Sequence, residues 1–188
     1  MNNVTTWEKE TDTNIFFWNG PLSNWWWSPF DDTIVEKQLH FESVEQFMMA
    51  TKAYIFADFD IFDKIMKEND PKYQKALGRS VRNFDDVVWK KYARRLVYRG
   101  IYSKFNQNPE LKALLLSTGD KILVEASPYD HVWGIGVHFD KVTLNNWQGQ
   151  NWLGQILMRV RKDLREGVDM RGKIFNDDEY FGTEPQGL

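Results

Sequence analysis

Glu45 and Lys52 stand two helical turns apart in a segment of helical spacing, so both fall on one side of the helix, roughly 10 Å apart along its axis. A carboxylate in the first turn of a helix is favoured in its ionised form by the positive end of the helix dipole. It suits a base, or a group that stabilises developing positive charge. A lysine amine can attack a carbonyl carbon. A neighbouring carboxylate would hold that amine protonated, so its proton must first be removed. Taken singly, each residue is also an ordinary helix-surface charge; their shared stripe makes them candidates. A second cluster lies in Val124–Gly136, which gathers Glu125, Ser127, Asp130, His131, Trp133, Gly134 and Gly136. Such a mixture at a strand end is the composition of a small-molecule site. Asp130 reads as a general acid, as a group orienting a sugar hydroxyl, or as the cap of an Asx turn. Glu125 reads as the end of a strand. Trp18, Trp89 and Trp133 can stack on a base or nicotinamide ring, or simply fill the core. Arg79, after Gly78 at a helix end, can present a guanidinium to phosphate. Gly149–Gly154 leads into a helix N-terminus, a further candidate anion site.

Local signals define the elements that must position these groups. Ser43-Val44-Glu45-Gln46 matches a capping box, with Ser43 as N-cap and Gln46 reaching back. Val44, Phe47, Met48, Thr51 and Ile55 then form a core-facing stripe, and Glu45, Met49, Lys52 and Phe56 a second, partly covered one. Strands are expected at 14–18 and at Ile122–Val124, and, after a turn at Asp31-Asp32, over Thr33–Phe41. Helices are expected from Pro71 to Leu77-Gly78; over 84–105, with Val88, Tyr92 and Leu96 inward; over Glu110–Ser117; and after Asn151, which can cap a helix carrying Leu153, Ile156, Leu157, Val160 and Leu164. The pattern is a helix-rich α+β single domain with a few short β-strands.

Composition narrows the function classes. With 188 residues, 42% hydrophobic, and nine tryptophans, the chain can bury a real core. It contains no cysteine, which excludes disulfides, thiolate catalysis and cysteine-ligated zinc. No apolar run spans a membrane, and residues 1–10 lack the pattern of a signal peptide, so a cytoplasmic location is expected and Asn3-Val4-Thr5 is a chance glycosylation match. His40, His131 and His138 are too scattered to predict a metal site, and no cofactor is expected. Dinucleotide-binding, Walker, nucleophile-elbow and zincin motifs are absent. The net charge of −3 gives no global pull towards nucleic acid. Between Arg79 and Lys104, however, eight basic residues face only Asp85 and Asp86. That stretch reads as a solvated helix face or as a nucleic-acid contact. An acidic C-terminal tail, residues 167–188 beyond a domain of residues 1–166, is expected to dock loosely.

In order along the chain stand Leu22-Ser23-Asn24; Glu45-Gln46, Lys52-Ala53 and Phe56-Ala57-Asp58; Leu77-Gly78-Arg79; Trp89; and Lys104-Phe105-Asn106-Gln107-Asn108. Then come Thr118-Gly119-Asp120, Glu125-Ala126-Ser127-Pro128, Asp130, Trp133-Gly134-Ile135-Gly136, Trp147-Gln148-Gly149 with Asn151, Leu153-Gly154 and Arg159-Val160-Arg161. This ordered set resembles the NADAR/YbiA-like superfamily from about Phe16 to Leu164. The resemblance implies hydrolysis of an N-glycosidic bond at a ribose. The implied substrate is ADP-ribose on a nucleobase, notably guanine in DNA, or else a phosphoribosylated aminopyrimidine intermediate of riboflavin biosynthesis. A non-catalytic ADP-ribose or NAD-binding module is the rival reading. The matching motifs imply Glu45, Lys52 and Asp130 as catalytic residues. Asn24, Arg79, Trp89, Ser127, Trp133, Gly134, Gly136 and Asn151 are then expected to bind substrate. The expected partners are a ribosylated nucleobase or phosphoribosyl small molecule and ADP-ribosylated DNA, with no membrane. Two departures stand out: Trp25-Trp26-Trp27 is bulkier than the family pattern, and His40-Phe41-Glu42-Ser43 differs before the glutamate; both bear on which base is accepted.

Overall fold

The computed structural model describes residues 7–143, 146–173 and 175–182; Asn3–Thr5 and Glu184 lie outside the described residues. In chain order the elements are β1 (Lys9–Glu10), β2 (Asn14–Phe17), β3 (Phe30–Ile34), β4 (Lys37–Phe41), α1 (Val44–Ile55), α2 (Phe59–Lys67), α3 (Pro71–Arg79), α4 (Asp86–Gln107), α5 (Pro109–Ser117), β5 (Ile122–Glu125), α6 (Trp152–Glu166) and α7 (Asp177–Phe181). The fold is helix-rich α+β, as the sequence pattern predicts.

β2 is paired on both edges: parallel to β5, with Asn14 opposite Ile122 and Phe17 opposite Glu125, and antiparallel to β1. All four β2 residues are buried, which is why this strand reads as an apolar run instead of an alternation. The strand period sends Ile15 and Phe17 into the main core. Phe16 and Val124 go to the opposite face, where they meet Ala126, Ile135 and Val137 in a second small core. That second core supports the loop holding Asp130 and Trp133.

α1 is the central helix, packed by α2, α3 and α4. Its capping box is half as expected. Ser43 Oγ accepts the Gln46 N–H, but the Gln46 side chain reaches one residue further back, accepting from the Glu42 N–H at 2.8 Å. Its amide also donates to the Ile65 and Glu68 carbonyls, so Gln46 ties the end of α2 to the start of α1. α2 has no counterpart among the expected elements. Asp58 caps it and forms a two-nitrogen ion pair with Arg82, and its apolar Ile65 is fully buried.

Four expectations are corrected. The turn of the 30–41 hairpin falls at Val35-Glu36, both with positive φ, while Asp31 and Asp32 lie within β3. In α4, Val88 and Tyr92 are exposed; the inward stripe is Ala93, Val97, Tyr98, Ile101, Tyr102 and Phe105, because the first turns of this helix run past the core. The basic residues of 79–104 do not form a free solvated face. Arg82 pairs with Asp58 and Asp60, Lys90 with Asp86, Arg95 with Asp177 and Arg99 with Asp32; Arg94 and Lys104 are buried. Finally, the described part of the C-terminal tail is firmly docked: Phe181 is buried, and Arg94 reaches Asp178 and the Gly182 carbonyl.

Candidate active site

Glu45 sits in the first turn of α1 and is 2% exposed. Its backbone N–H donates to the Asn24 carbonyl at 3.0 Å, which pins the 20–26 loop across the helix start. Burial is the chief force on its carboxyl, raising it from 4.5 to about 7. The Lys75 ammonium, the Trp25 indole N–H and Arg79 pull it down, and Asp130 pushes it up. Glu45 Oε1 and Asn24 Oδ1 are both buried without a hydrogen-bond partner. Two such acceptors are what donor groups of a substrate could pair with.

Lys52 lies on the same side of α1. Its Nζ stands 4.0 Å from the Phe84 ring centroid and 5.9 Å from that of Trp89. Among the described residues it makes no salt bridge. Burial first, and Arg79 second, lower its amine below the usual lysine range; Glu45 and Asp86 oppose them. The expected neighbouring carboxylate therefore does not dominate: burial and the Arg79 charge shift the amine towards its neutral, nucleophilic form.

Asp130 takes the turn-capping reading with one of its oxygens. Its Oδ1 caps an Asx turn, accepting from the N–H groups of Val132 and Trp133 at 3.0 and 2.8 Å. Its Oδ2 faces Lys75 Nζ at 3.9 Å. The loop around it is tightly stitched. Gly134 has no room for a side chain, since a Cβ would meet the carbonyls of Glu125 and Asp130 at 2.9 and 3.0 Å. Gly136 has a φ of +67°, and its N–H donates to the Asp130 carbonyl. Ser127 accepts the Tyr129 N–H, and Trp133 packs edge-on against Trp152. Glu125 is buried here and its carboxyl is raised well above the usual range, by burial first and then by Asp130 and Glu8.

The structure gives Asn151 a different task from capping or ligand binding. It has a left-handed φ of +53° and makes no side-chain cap. Its amide accepts the Glu125 N–H and donates to the Leu123 carbonyl, continuing the edge of β5. The expected anion site at the start of α6 is also taken up: the N–H groups of Gln150, Asn151, Trp152 and Leu153 donate to the carbonyls of His131, Gly134, Val132 and Trp133. His131 lies apart from the carboxyl–lysine centre, against the Gln148 carbonyl.

The structure thus brings Glu45, Lys52, Asp130, Asn24, Arg79 and Trp89 to one region, with Ser127, Trp133, Gly134, Gly136 and Asn151 supporting its wall. Three of its residues have no place among the predicted site residues. Lys75 lies one turn before Arg79 on α3, a spacing that was available as a signal. Trp25 is adjacent to Asn24 and opens the bulky Trp25-Trp26-Trp27 departure, whereas Phe84 precedes α4 and reads locally as an ordinary aromatic. A separate cleft of about 480 Å³, lined by Asp31, Asp32, Arg99, Asp169 and Arg171, shares no residue with this centre. Its arginines are already paired with those carboxylates. No group of metal-ligating residues occurs among the described residues, and no described helix is long and apolar enough to cross a membrane.

A buried carboxyl that keeps its proton to near neutrality, set beside an amine shielded by aromatic rings, defines the class: a helix-rich α+β domain with a carboxyl–lysine centre. The NADAR domain matches residues 15–165, and the chain belongs to the NADAR family. It is 39% identical over 169 residues to N-glycosidase R617 of Acanthamoeba polyphaga mimivirus, covering 84% of this chain and 99% of that protein. It is 39% identical over 136 residues to protein irg-1 of Caenorhabditis elegans, covering 69% of this chain and 63% of that one. It is 34% identical over 109 residues to the riboflavin biosynthesis protein PYRR of Arabidopsis thaliana, covering 56% of this chain but 17% of that protein. The NMR structure of the Escherichia coli protein YbiA matches with a TM-score of 0.67 at 26% identity, covering 87% of this chain and 91% of that one. The N-glycosidase relatives accord with a hydrolase acting on N-glycosidic bonds.

Proposed function

We propose that this protein is an N-glycosidase that releases ADP-ribose from a modified nucleobase, guanine of DNA being the expected case. The observation that carries the reading is the Glu45–Lys52 pair: a fully buried carboxyl raised to about 7 and, two turns on, a lysine held below its usual range. Loss of a base from C1 of ribose builds positive charge on the sugar, which the Glu45 carboxylate stabilises as it forms. The departing nitrogen takes the bonding pair and a proton. In the covalent route, the ribosylamine ring first opens, and the neutral Lys52 amine adds to C1. The C1–N bond to the base breaks, and the C1=Nζ Schiff base remains. Water then adds to C1, releasing the sugar aldehyde and the free amine. Asp130 Oδ2 faces this centre and suits a ribose hydroxyl; Trp89 and Trp133 offer aromatic faces for the base, and Arg79 a guanidinium for phosphate.

A phosphoribosylated aminopyrimidine is the second reading. It is favoured by the pairing of Arg94, Arg95 and Arg99 with carboxylates, which leaves α4 without a continuous basic face for DNA. One assay decides: hydrolysis of ADP-ribosylated DNA and of the phosphoribosyl aminopyrimidine, each beside Glu45→Ala. Product from one substrate, lost in the variant, is expected. Binding without turnover of either would replace the enzyme reading with a ligand-binding module. Borohydride during turnover should trap a protein–ribose adduct; no adduct together with full activity of Lys52→Ala would overturn the covalent route.

A further inference from the structure

Lys75 faces two loops of the site from a third element. It lies on α3 and is about one-third exposed. Its Nζ is 3.9 Å from Asp130 Oδ2, on the 126–136 loop, and 5.6 Å from the Trp25 ring centroid, on the loop that crosses the start of α1. Charge-assisted hydrogen bonds are about 1 Å shorter than that ion pair, so the ammonium is not locked to Asp130 and is shared with its surroundings. The approach of α3 to α1 is built into the sequence. At Gly78 a Cβ would meet Met49 Sδ at 2.0 Å, so with any larger residue there the Met49 side chain would have to move aside for α3 to lie this close to the Glu45 stripe.

The groups acting on Glu45 come from α3, with Lys75 and Arg79, from the 126–136 loop, with Asp130, and from the 20–26 loop, with the Trp25 indole; α2 and α4, also packed on α1, contribute none among the described residues. Lys52 interacts with it along its own helix. Of the two α3 cations that act on Glu45, Lys75 has the larger effect, and Arg79 is the more exposed.

We propose that Lys75 is a further positioning residue of this site: its ammonium is the counter-ion that Glu45 and Asp130 share, and it makes the Glu45 carboxylate available for the reaction. Burial and Asp130 both oppose ionisation of Glu45; the Lys75 ammonium, 3.9 Å from Asp130 Oδ2, acts against both, with Trp25 and Arg79 on the same side. This inference rests on the functional reading only for its effect on rate.

The test follows Glu45 directly. In protein carrying 13C-labelled glutamate side chains, with Glu45→Gln used for assignment, the Glu45 carboxyl is titrated in the wild type, Lys75→Met and Lys75→Arg. Methionine keeps the aliphatic stem, and Lys75→Gln serves as a second neutral variant if methionine perturbs folding. Removing one close cation should raise the Glu45 midpoint by about one pH unit, and arginine should restore it. The low-pH limb of kcat/KM should move up by the same amount, with the plateau above it retained. An unchanged Glu45 midpoint in both neutral variants overturns the proposal. If the midpoint moves and the rate limb does not, the role of Lys75 stands and the assignment of Glu45 to catalysis falls.

Discussion

Glu45→Gln is expected to stabilise the protein at alkaline pH while it abolishes turnover. Burial raises the Glu45 carboxyl from 4.5 to about 7, so the native state keeps a proton that the unfolded chain has already lost. Between those two values the native state binds more protons than the unfolded state, and stability falls as pH rises. The favourable contribution is complete below 4.5 and is lost as pH passes about 7. That interval corresponds to about 3 kcal/mol, at ~1.4 kcal/mol per unit. Glutamine has nearly the same shape and does not ionise, so it escapes the loss. Urea unfolding at about pH 4 and about pH 8 measures it: the variant should gain about 3 kcal/mol over the wild type between the two conditions. Any cost of placing an amide beside Asn24 is common to both pH values and cancels in the comparison. Turnover should fall by roughly 10²–10⁴. If the stability difference between the two proteins is the same at both pH values, Glu45 does not retain its proton, and the electrostatic account of the site is wrong.

Lys104 carries the opposite pH dependence. Burial lowers it from 10.5 to about 7, so the unfolded chain holds the extra proton and stability rises across that interval. Lys104→Met should flatten this rise in the same unfolding series. Because Lys104 Nζ donates to the Pro21 and Ser23 carbonyls at 2.7 and 2.9 Å, the variant should also free the loop bearing Asn24 and Trp25, raising KM by about tenfold. Asn151→Ala should cost about 2–4 kcal/mol in urea unfolding, since it orphans the Glu125 N–H and the Leu123 carbonyl inside the fold.

Much of the frame was legible locally. The Ser43 cap, the two stripes of α1 and the apolar runs of β2 and β5 are short-range signals, and each formed as the residue pattern requires. The Glu45–Lys52 pair was legible for the same reason, because helix periodicity alone places both side chains on one side. Asn151 was misread because a left-handed residue before a helix resembles a cap in sequence, while its side chain serves a strand 26 residues away. Val88 and Tyr92 were misread because periodicity gives the spacing of a stripe but not how far the core extends along a 22-residue helix. The arginines of α4 are paired off because their carboxylate partners come from β3 and α7, distant in sequence.

The sequence by itself determined that a carboxylate and an amine share one side of a helix, and that a loop rich in polar residues follows a buried strand. Those facts depend on backbone periods that local residues impose. Only the tertiary structure decided what the two groups can do. Gly78 leaves room for α3 to pack against α1 beside Met49, which brings in Lys75, while the Phe84 and Trp89 rings flank Lys52. Burial then raises Glu45 and lowers Lys52 towards each other. Charge and desolvation depend on everything within a few ångströms, whatever its position in the chain, so the chemistry of this pair came into being only when the fold closed around it.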